Sequence, residues 1–141
     1  MTSVPLRAPL RRGFTLVEAM AVLAVAGVLS AMAMPSFLDQ IARSRRVDAT
    51  TALQRLQWAQ ERFRRDTGAY ALRLDQLRSV AAGRSEAGLY RLELHSLGPD
   101  AYEAVAVAQA EQARDLECPT LTLRVDGLVS DRQPAGRCWG Q

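Results

Sequence analysis

A long apolar run near the N-terminus most constrains how this chain can fold. From Phe14 to Met34 the only polar side chains are Thr15, Glu18 and Ser30. At about 1.5 Å per residue this run would form a helix of roughly 31 Å, which is long enough to cross the apolar core of a bilayer. The sequence therefore predicts a membrane-spanning helix that follows a short basic segment.

Glu18 is the unusual member of this run. A charged side chain in a membrane-spanning helix costs about 2–3 kcal/mol or more, and less near the interface than at the centre. A carboxylate removed from water must either find a cationic partner or become neutral. We therefore expect Glu18 to have both a function and a partner.

The residues around Glu18 resemble a known processing signal. The chain reads Arg11-Arg12-Gly13-Phe14-Thr15-Leu16-Val17-Glu18, which is similar to the signal of type IV prepilins, a basic leader ending in Gly followed by Phe-Thr-Leu-x-Glu. The resemblance implies that a prepilin peptidase cuts between Gly13 and Phe14 and methylates the new Phe14 amine. It also implies that Glu18 pairs with the N-terminal amine of a neighbouring subunit and so checks the axial register during filament assembly.

The resemblance extends beyond this signal. Gly27 and Pro35 lie where pilins carry helix-weakening residues, and Thr67-Gly68-Ala69-Tyr70 is similar to the pilin junction that follows the helix. Pro35 removes a backbone hydrogen bond and disfavours helical backbone at the preceding residue. The resemblance implies that the stretch from Gly27 to Pro35 unwinds in the filament, and an ordinary kink is the alternative.

Three other interpretations of the N-terminal run remain open. Ala31-Met32-Ala33 fits the cleavage site of a secretory signal, and Arg11-Arg12 faintly resembles a twin-arginine signal. Glu18 argues against both, because its charge weakens insertion without a compensating partner. The third alternative is a plain single-pass anchor.

Two cysteines, Cys118 and Cys138, are present. An even pair in an exported domain indicates a disulfide. It would close a loop of about twenty residues and stabilise the fold by about 3 kcal/mol; two free buried thiols are the alternative. Their spacing does not fit zinc, and the acidic residues nearby lack the spacing of a calcium-binding EF-hand. We therefore expect no metal and no cofactor.

The charge balance argues against a generally basic protein. All 18 basic residues are Arg. Removing the three that lie in the expected leader (Arg7, Arg11 and Arg12) leaves 15 Arg against 15 acidic residues. With a single histidine, His95, and no phosphate-binding glycine motif, no catalytic grouping can be assembled convincingly. We expect no enzymatic activity, and nucleic-acid binding would have to rest on a local patch.

Three arginine groups are candidates for such a patch. We expect Arg43-Arg45-Arg46 to contact neighbouring subunits or lipid headgroups, and Arg62-Arg64-Arg65 to form a solvated helix face and end. The third group could hold DNA through phosphate contacts and base stacking, and it consists of Arg124, Arg132, Arg137 and Trp139. Packing of Trp139 against the C-terminal loop is the alternative.

A narrower resemblance concerns the same C-terminal region. Cys118-Pro-Thr-Leu-Thr-Leu, a turn, and then Cys138-Trp139 are similar to a branch of type IV pilins. That branch includes receptors for DNA-uptake sequences and also pilins without a known DNA role. Asp126 and Asp131 lie in the same loop and oppose a basic surface.

The predicted fold class is α+β, with the long helix packed on a small antiparallel sheet of three or four strands, as in the type IV pilin fold. The helix should run from Phe14 to about Arg65, and its second half carries an apolar stripe at spacings of three and four. A short helix from Leu74 to about Ala81 is expected. The strands are expected at Leu89–His95, Tyr102–Ala108, Pro119–Val125 and Leu128–Ser130.

The expected organisation is a leader at 1–13, a transmembrane and filament-core helix at 14–35, and a periplasmic or extracellular globular domain at 36–141. The resemblance implies a minor pilin that lies in the inner membrane of a Gram-negative type of bacterium before it enters an extracellular pilus. Its implied partners are other pilin subunits, prepilin peptidase and the pilus assembly machinery, and its implied roles include adhesion and twitching motility. The alternatives are a DNA-binding pilin for natural transformation and a pseudopilin of type II secretion, although the expected disulfide favours a pilus.

Overall fold

The long helix is the first element of the computed structural model, which describes residues 14–140 apart from the side chains of residues 33–36. Helix α1 spans Leu16–Thr67 and contains a window that is long and apolar enough to cross a membrane. The predicted helix is therefore confirmed to within two residues at each end. The chain divides into two compact units, the first ending at Phe37 and the second beginning at Leu38.

The second unit contains a four-stranded antiparallel sheet in which each strand pairs with the next one along the chain. The strands are β1 (Tyr90–Gly98), β2 (Ala101–Ala108), β3 (Thr120–Asp126) and β4 (Val129–Gln133). Gly127 has a φ of 59° in the tight β3–β4 turn, a left-handed conformation that glycine adopts without steric cost. The predicted α+β class and the meander of strands are confirmed.

The core lies where the amphipathic part of α1 meets the sheet. The buried helix residues Ala49, Leu53 and Leu56 belong to one apolar cluster with residues such as Tyr102 and Leu121 from the sheet. These helix positions recur at intervals of three or four residues and so share one face. The apolar stripe read from the sequence is therefore the face that builds the core.

A buried glutamine, Gln60, fixes the chain where it leaves the helix. Its side-chain amide donates to the Ala71 carbonyl at 3.1 Å, and its oxygen accepts from the Ala71 N–H at 2.8 Å. Both polar groups of the side chain are thus satisfied by a single residue, as a buried amide requires.

The predicted helix from Leu74 to Ala81 is wrong. Only Leu74–Gln76 forms a short 3₁₀-helix, and turns follow it. The N–H groups of Leu77, Val80 and Gly83 each donate to the carbonyl three residues earlier. Leu77 and Val80 are both buried, and these successive three-residue turns bring both side chains to the core.

A second 3₁₀-helix, Ala110–Arg114, connects β2 to β3 and was not expected from the sequence. It delivers Asp115 to a buried position beside Arg46. The Arg46 guanidinium donates to both Asp115 carboxylate oxygens, at 2.7 and 2.8 Å, and to Glu117 at 2.9 Å. The expectation that Arg46 contacts a neighbouring subunit or lipid is wrong, because its side chain is 3% exposed and is already paired within the chain.

The first prediction concerns this buried pair. Replacing Arg46 by Met should lower the free energy of unfolding by about 3–5 kcal/mol, because it leaves the Asp115 carboxylate buried without its cation. Urea unfolding of the detergent-solubilised full chain, followed by tryptophan fluorescence, measures the change. Arg43→Met is the matched control, since Arg43 pairs with Asp39 at the surface and should contribute little. Equal midpoints for the two variants would contradict the assignment.

The second prediction is the pH dependence of the same pair. The hydrogen bond from Arg46 holds the pKa of Asp115 below its ordinary value. The stabilisation is therefore complete above the ordinary Asp pKa of about 3.9 and is lost as the pH falls through the lower folded-state pKa. In Arg46→Met the Asp115 carboxylate is buried without a cation, and this burial raises its pKa instead. The variant should therefore become more stable as the pH falls over the same range. Unfolding midpoints measured between about pH 5 and 3 test this reversal, and parallel profiles would contradict it.

Candidate functional site

The first candidate site is the start of α1. The Thr15 hydroxyl accepts a hydrogen bond from the Glu18 N–H at 3.2 Å, and its carbonyl accepts from the Ala19 N–H at 3.1 Å. Thr15 therefore acts as the N-cap of the helix. Glu18 lies in the first turn, where the helix dipole favours an acidic side chain.

The surroundings of Glu18 leave its charge available. None of the described residues forms an ion pair with its carboxylate, and Phe14 is 83% exposed four residues before it. Gly13, which precedes the expected cleavage site, lies outside the described residues. Pairing of Glu18 with the Phe14 amine of a second subunit thus stays a prediction, and this geometry leaves room for it.

Gly27 and Pro35 both lie within α1. Gly27 is exposed, and a Cβ atom added there would meet nothing within 4 Å. The side chain of Pro35 is not among those that the structure describes. Unwinding of this stretch in a filament stays a prediction, and no contact within the first unit explains why residue 27 is glycine.

The second candidate site is the C-terminal loop. Cys118 and Cys138 form a disulfide with 5.7 Å between their Cα atoms, so the predicted bond is confirmed. Both cysteines are buried, and the Cys118 N–H donates to Asp115. The described residues contain no cluster of three or more His, Cys, Asp or Glu side chains suited to a metal ion.

Arg124 does not present an isolated positive charge. In the sheet it lies directly between Glu103 on β2 and Asp131 on β4, and His95 faces Glu103 on the next strand. Opposed side chains on neighbouring antiparallel strands are about 5 Å apart at Cβ. The two carboxylates therefore offset the positive charge of Arg124, which makes it a poorer candidate for contacting a DNA phosphate.

Arg132 and Trp139 form a separate pair on the other face of the sheet. Arg132 is paired in register with Leu123, whose side chain points away from that of its neighbour Arg124. The Arg132 guanidinium lies 5.3 Å from the centre of the Trp139 ring, and the indole N–H donates to the Gln133 carbonyl. Trp139 also packs against the core, so the packing interpretation is confirmed, and Arg132 covers part of its ring.

The predicted DNA-contacting residues thus do not form one surface. Arg137 is exposed and lies on the loop that carries Trp139. One of its guanidinium nitrogens is 3.6 Å from a carboxylate oxygen of Glu117. Arg132, Arg137 and Trp139 belong to the C-terminal region, whereas Arg124 belongs to the exposed sheet face with its acidic neighbours.

The middle arginine group is also divided. Arg64 is not simply solvated, because it stacks over Tyr70 at 4.8 Å and pairs with Asp100 at 2.7 Å. Arg62 lines a groove of about 470 Å³ together with Arg78, over the apolar side chains of Phe63 and Leu77. Neither Arg62 nor Arg78 has an ion-pair partner among the described residues.

Sequence reasoning missed one exposed aromatic residue. Trp58 is 72% exposed on the part of α1 that borders the sheet domain. The signal was present in its spacing, because Trp58 is two residues from the buried Leu56 and therefore points away from the core face.

Relatives of this chain are pilins and fimbrial proteins. The type IV major pilin protein PilA of Myxococcus xanthus is 47% identical over 55 residues, which is 39% of this chain and 25% of that protein. The fimbrial protein EcpC of Eikenella corrodens is 46% identical over 39 residues, covering 28% of this chain and 26% of its own length. The type IV major fimbrial protein FimA of Dichelobacter nodosus is 45% identical over 42 residues, covering 30% and 26%. The matches span about a quarter of each relative.

Two family models match adjacent parts of the chain. The prokaryotic N-terminal methylation motif covers residues 9–34, which include Gly13, Phe14 and Glu18. A model described as type IV minor pilin ComP, DNA uptake sequence receptor, covers residues 35–122. The second match includes Cys118 but ends before Arg124 and the rest of the C-terminal arginine group. Because it covers more than half of the sequence, the chain belongs to the type IV minor pilin ComP family.

Proposed function

We propose that this chain is a subunit of a type IV pilus, of the minor pilin class, that assembles through its N-terminal helix. Residues 1–13 act as the leader, residues 14–35 cross the inner membrane and then line the filament core, and residues 36–141 form the domain outside the membrane. The observation that carries this proposal is Glu18, a carboxylate without a cation among the described residues, placed in an exposed apolar helix within the match to the methylation motif.

Cleavage between Gly13 and Phe14 would supply the missing cation. It creates an amine at Phe14, and methylation leaves that amine basic. When a second subunit enters the filament, its amine can pair with Glu18 in an environment poor in water, where a lone charge is costly. Only one axial register brings the two charges together, so the pair selects correct assembly.

This proposal predicts that Glu18→Gln is processed but assembles poorly. The substitution keeps the size of the side chain and removes the charge, so an incoming amine would be buried without its counter-ion. We expect filament yield, measured on sheared and sedimented pili, to fall at least about tenfold, since removing one partner of a buried pair costs about 3–5 kcal/mol.

Mass spectrometry of the mature N-terminus is the control for this experiment. A chain that starts at methylated Phe14 in both proteins separates a failure of assembly from a failure of cleavage. Normal filament yield from Glu18→Gln would contradict the role of the charge pair. A mature chain that starts at Met34 would contradict the pilin assignment itself and favour a cleaved secretory signal.

A second candidate function, binding of DNA during uptake, is favoured by the family description. The C-terminal region offers Arg132 stacked on Trp139 and the exposed Arg137. These arginines could contact phosphates, while the indole ring holds the Arg132 guanidinium in place. We leave Arg124 out of this surface, because its register neighbours Glu103 and Asp131 are acidic and it lies on the opposite face of the sheet from Arg132.

This candidate predicts different effects for the two groups of arginines. Arg132→Gln with Arg137→Gln should weaken DNA binding by the full-length protein and lower the slope of log affinity against log salt by about 2, because each phosphate contact contributes about 1. Arg124→Gln is the matched control and should bind like the wild type. Gel-shift titrations at several salt concentrations measure both quantities. Absence of binding by the wild type at low salt would remove the DNA role, and an equal loss in the control would overturn the residue assignment.

A further inference from the structure

A groove of about 640 Å³ lies where the second unit begins. Leu38, Ile41 and Ala42 of α1 line one side of it, and Arg114 and Leu116, at the end of the second 3₁₀-helix and in the loop after it, line the other. Leu38 is 59% exposed and Leu116 is 87% exposed. The groove therefore presents apolar side chains from two different elements to its surroundings.

The exposed position of Leu116 is fixed by its neighbours. Asp115 and Glu117, on either side of it, both accept hydrogen bonds from the buried Arg46 guanidinium, at 2.7 and 2.9 Å. Gln112 donates to a backbone carbonyl of α1 at 3.1 Å and so holds the same segment against the helix. These bonds attach the chain on both sides of Leu116 to α1 and leave its apolar side chain outside, where contact with water is unfavourable.

The charges around the groove are mostly paired with one another. Asp39 pairs with Arg43, and Glu111 pairs with Arg45. Arg114 is exposed at the edge of the groove and has no ion-pair partner among the described residues. The groove therefore offers one available cation beside a group of apolar side chains.

A phospholipid fits this combination better than a nucleic acid does. Duplex DNA carries one negative charge per about 1.7 Å of its axis and would meet a single available cation beside exposed leucines. A phospholipid carries a phosphate and acyl chains in one molecule, and arginine side chains commonly reach such phosphates while their stems lie along apolar surface.

The start of the groove is also tied to the membrane by the length of the chain. Leu38 follows Met34, the last residue of the apolar run, by four residues. Four residues advance about 6 Å along a helix and reach only about 14 Å when fully extended. The headgroup layer on each side of a bilayer is roughly 5–8 Å thick. Leu38 therefore stays close to the headgroups whether or not the preceding segment is helical.

We infer that this groove rests on the surface of the membrane that α1 spans, with Leu38 and Leu116 inserted between headgroups and acyl chains and Arg114 in contact with a lipid phosphate. The inference rests on the proposed function, because residues 14–35 must cross the membrane. The contact holds the outer domain against the bilayer before assembly, and it must break when the subunit enters a filament.

Fluorescence quenching in nanodiscs that hold one chain each tests this contact. The full-length chain is placed in discs of phosphatidylethanolamine and phosphatidylglycerol, with an environment-sensitive fluorescent amino acid at position 116. We expect lipids brominated near the headgroup end of the acyl chain to quench this probe. Quenching by iodide should be at least about threefold weaker than at the control position, because a side chain about 5–10 Å deep in the boundary is shielded from an aqueous ion.

Leu128 is the matched control position, since it is a fully exposed leucine in the β3–β4 turn. The neighbouring Gly127 N–H donates to the carbonyl of Asp100, whose side chain pairs with Arg64. Arg64 lies 26 residues after Leu38 in α1, which is about 39 Å along the helix. A probe at position 128 should therefore be quenched by iodide and not by brominated lipid.

A third probe, at Leu23 in the apolar run, separates failure of the contact from failure of the proposed function. If lipid quenches position 23 while iodide quenches positions 116 and 128 equally, the contact is refuted and the membrane-spanning helix stands. If iodide quenches position 23, the proposed function fails together with the inference. Shielding of position 116 only in vesicles that hold many chains would assign the groove to a second copy and would also overturn the inference.

Hydroxyl-radical footprinting of the same discs tests the contact without a probe. In the unaltered chain, Leu116 should be oxidised at least about threefold less than Leu128, since lipid covers it. Arg114→Glu places a repulsive charge at the phosphate and should restore oxidation of Leu116. Arg78→Glu is the matched control, because Arg78 also lacks an ion-pair partner among the described residues but lines the other groove. Equal oxidation of the two leucines in the unaltered chain, or the same result from both arginine variants, would overturn the inference.

Discussion

A buried guanidinium joins the helix to the C-terminal region, and the placement of the disulfide loop depends on it. Arg46 donates to Asp115 and Glu117, which precede Cys118, and also to the carbonyl of Arg137, which precedes Cys138. The disulfide holds the two ends of the loop together, but a single covalent bond does not orient them toward the helix. Arg46 contacts the chain at both ends, and its planar set of donors fixes that orientation.

Ion pairs within the chain also explain why the number of arginines says little about which molecules the protein binds. Arg45, Arg46, Arg55 and Arg64 all extend from α1 and pair with acidic residues that are far away in sequence. These pairs connect the helix to the loops around the sheet. Other described arginines have no ion-pair partner, and two of these, Arg62 and Arg78, lie beside the same groove. Surface electrostatics therefore follow the pairing pattern more than the composition.

Elements with strong local signals were predictable from the sequence. The periodicity of the helix, the alternation in β1 and the Asp126-Gly127 turn each specify structure through nearby residues, and the cysteine pair left few alternatives. The failures involve distant partners. Burial of Arg46 depends on Asp115, about seventy positions away, and the separation of Arg124 from Arg132 depends on sheet register. The turns after Leu74 were misread because spacing of three residues between Leu77 and Val80 suits either a helix or a series of tight turns.

Glycine at position 27 has a physical explanation in the stability of the helix. Gly lowers helix stability by about 0.5–1 kcal/mol relative to Ala, which would ease local unwinding. In lipid the backbone hydrogen bonds have no competitor, so the weakness is masked until the helix leaves the membrane.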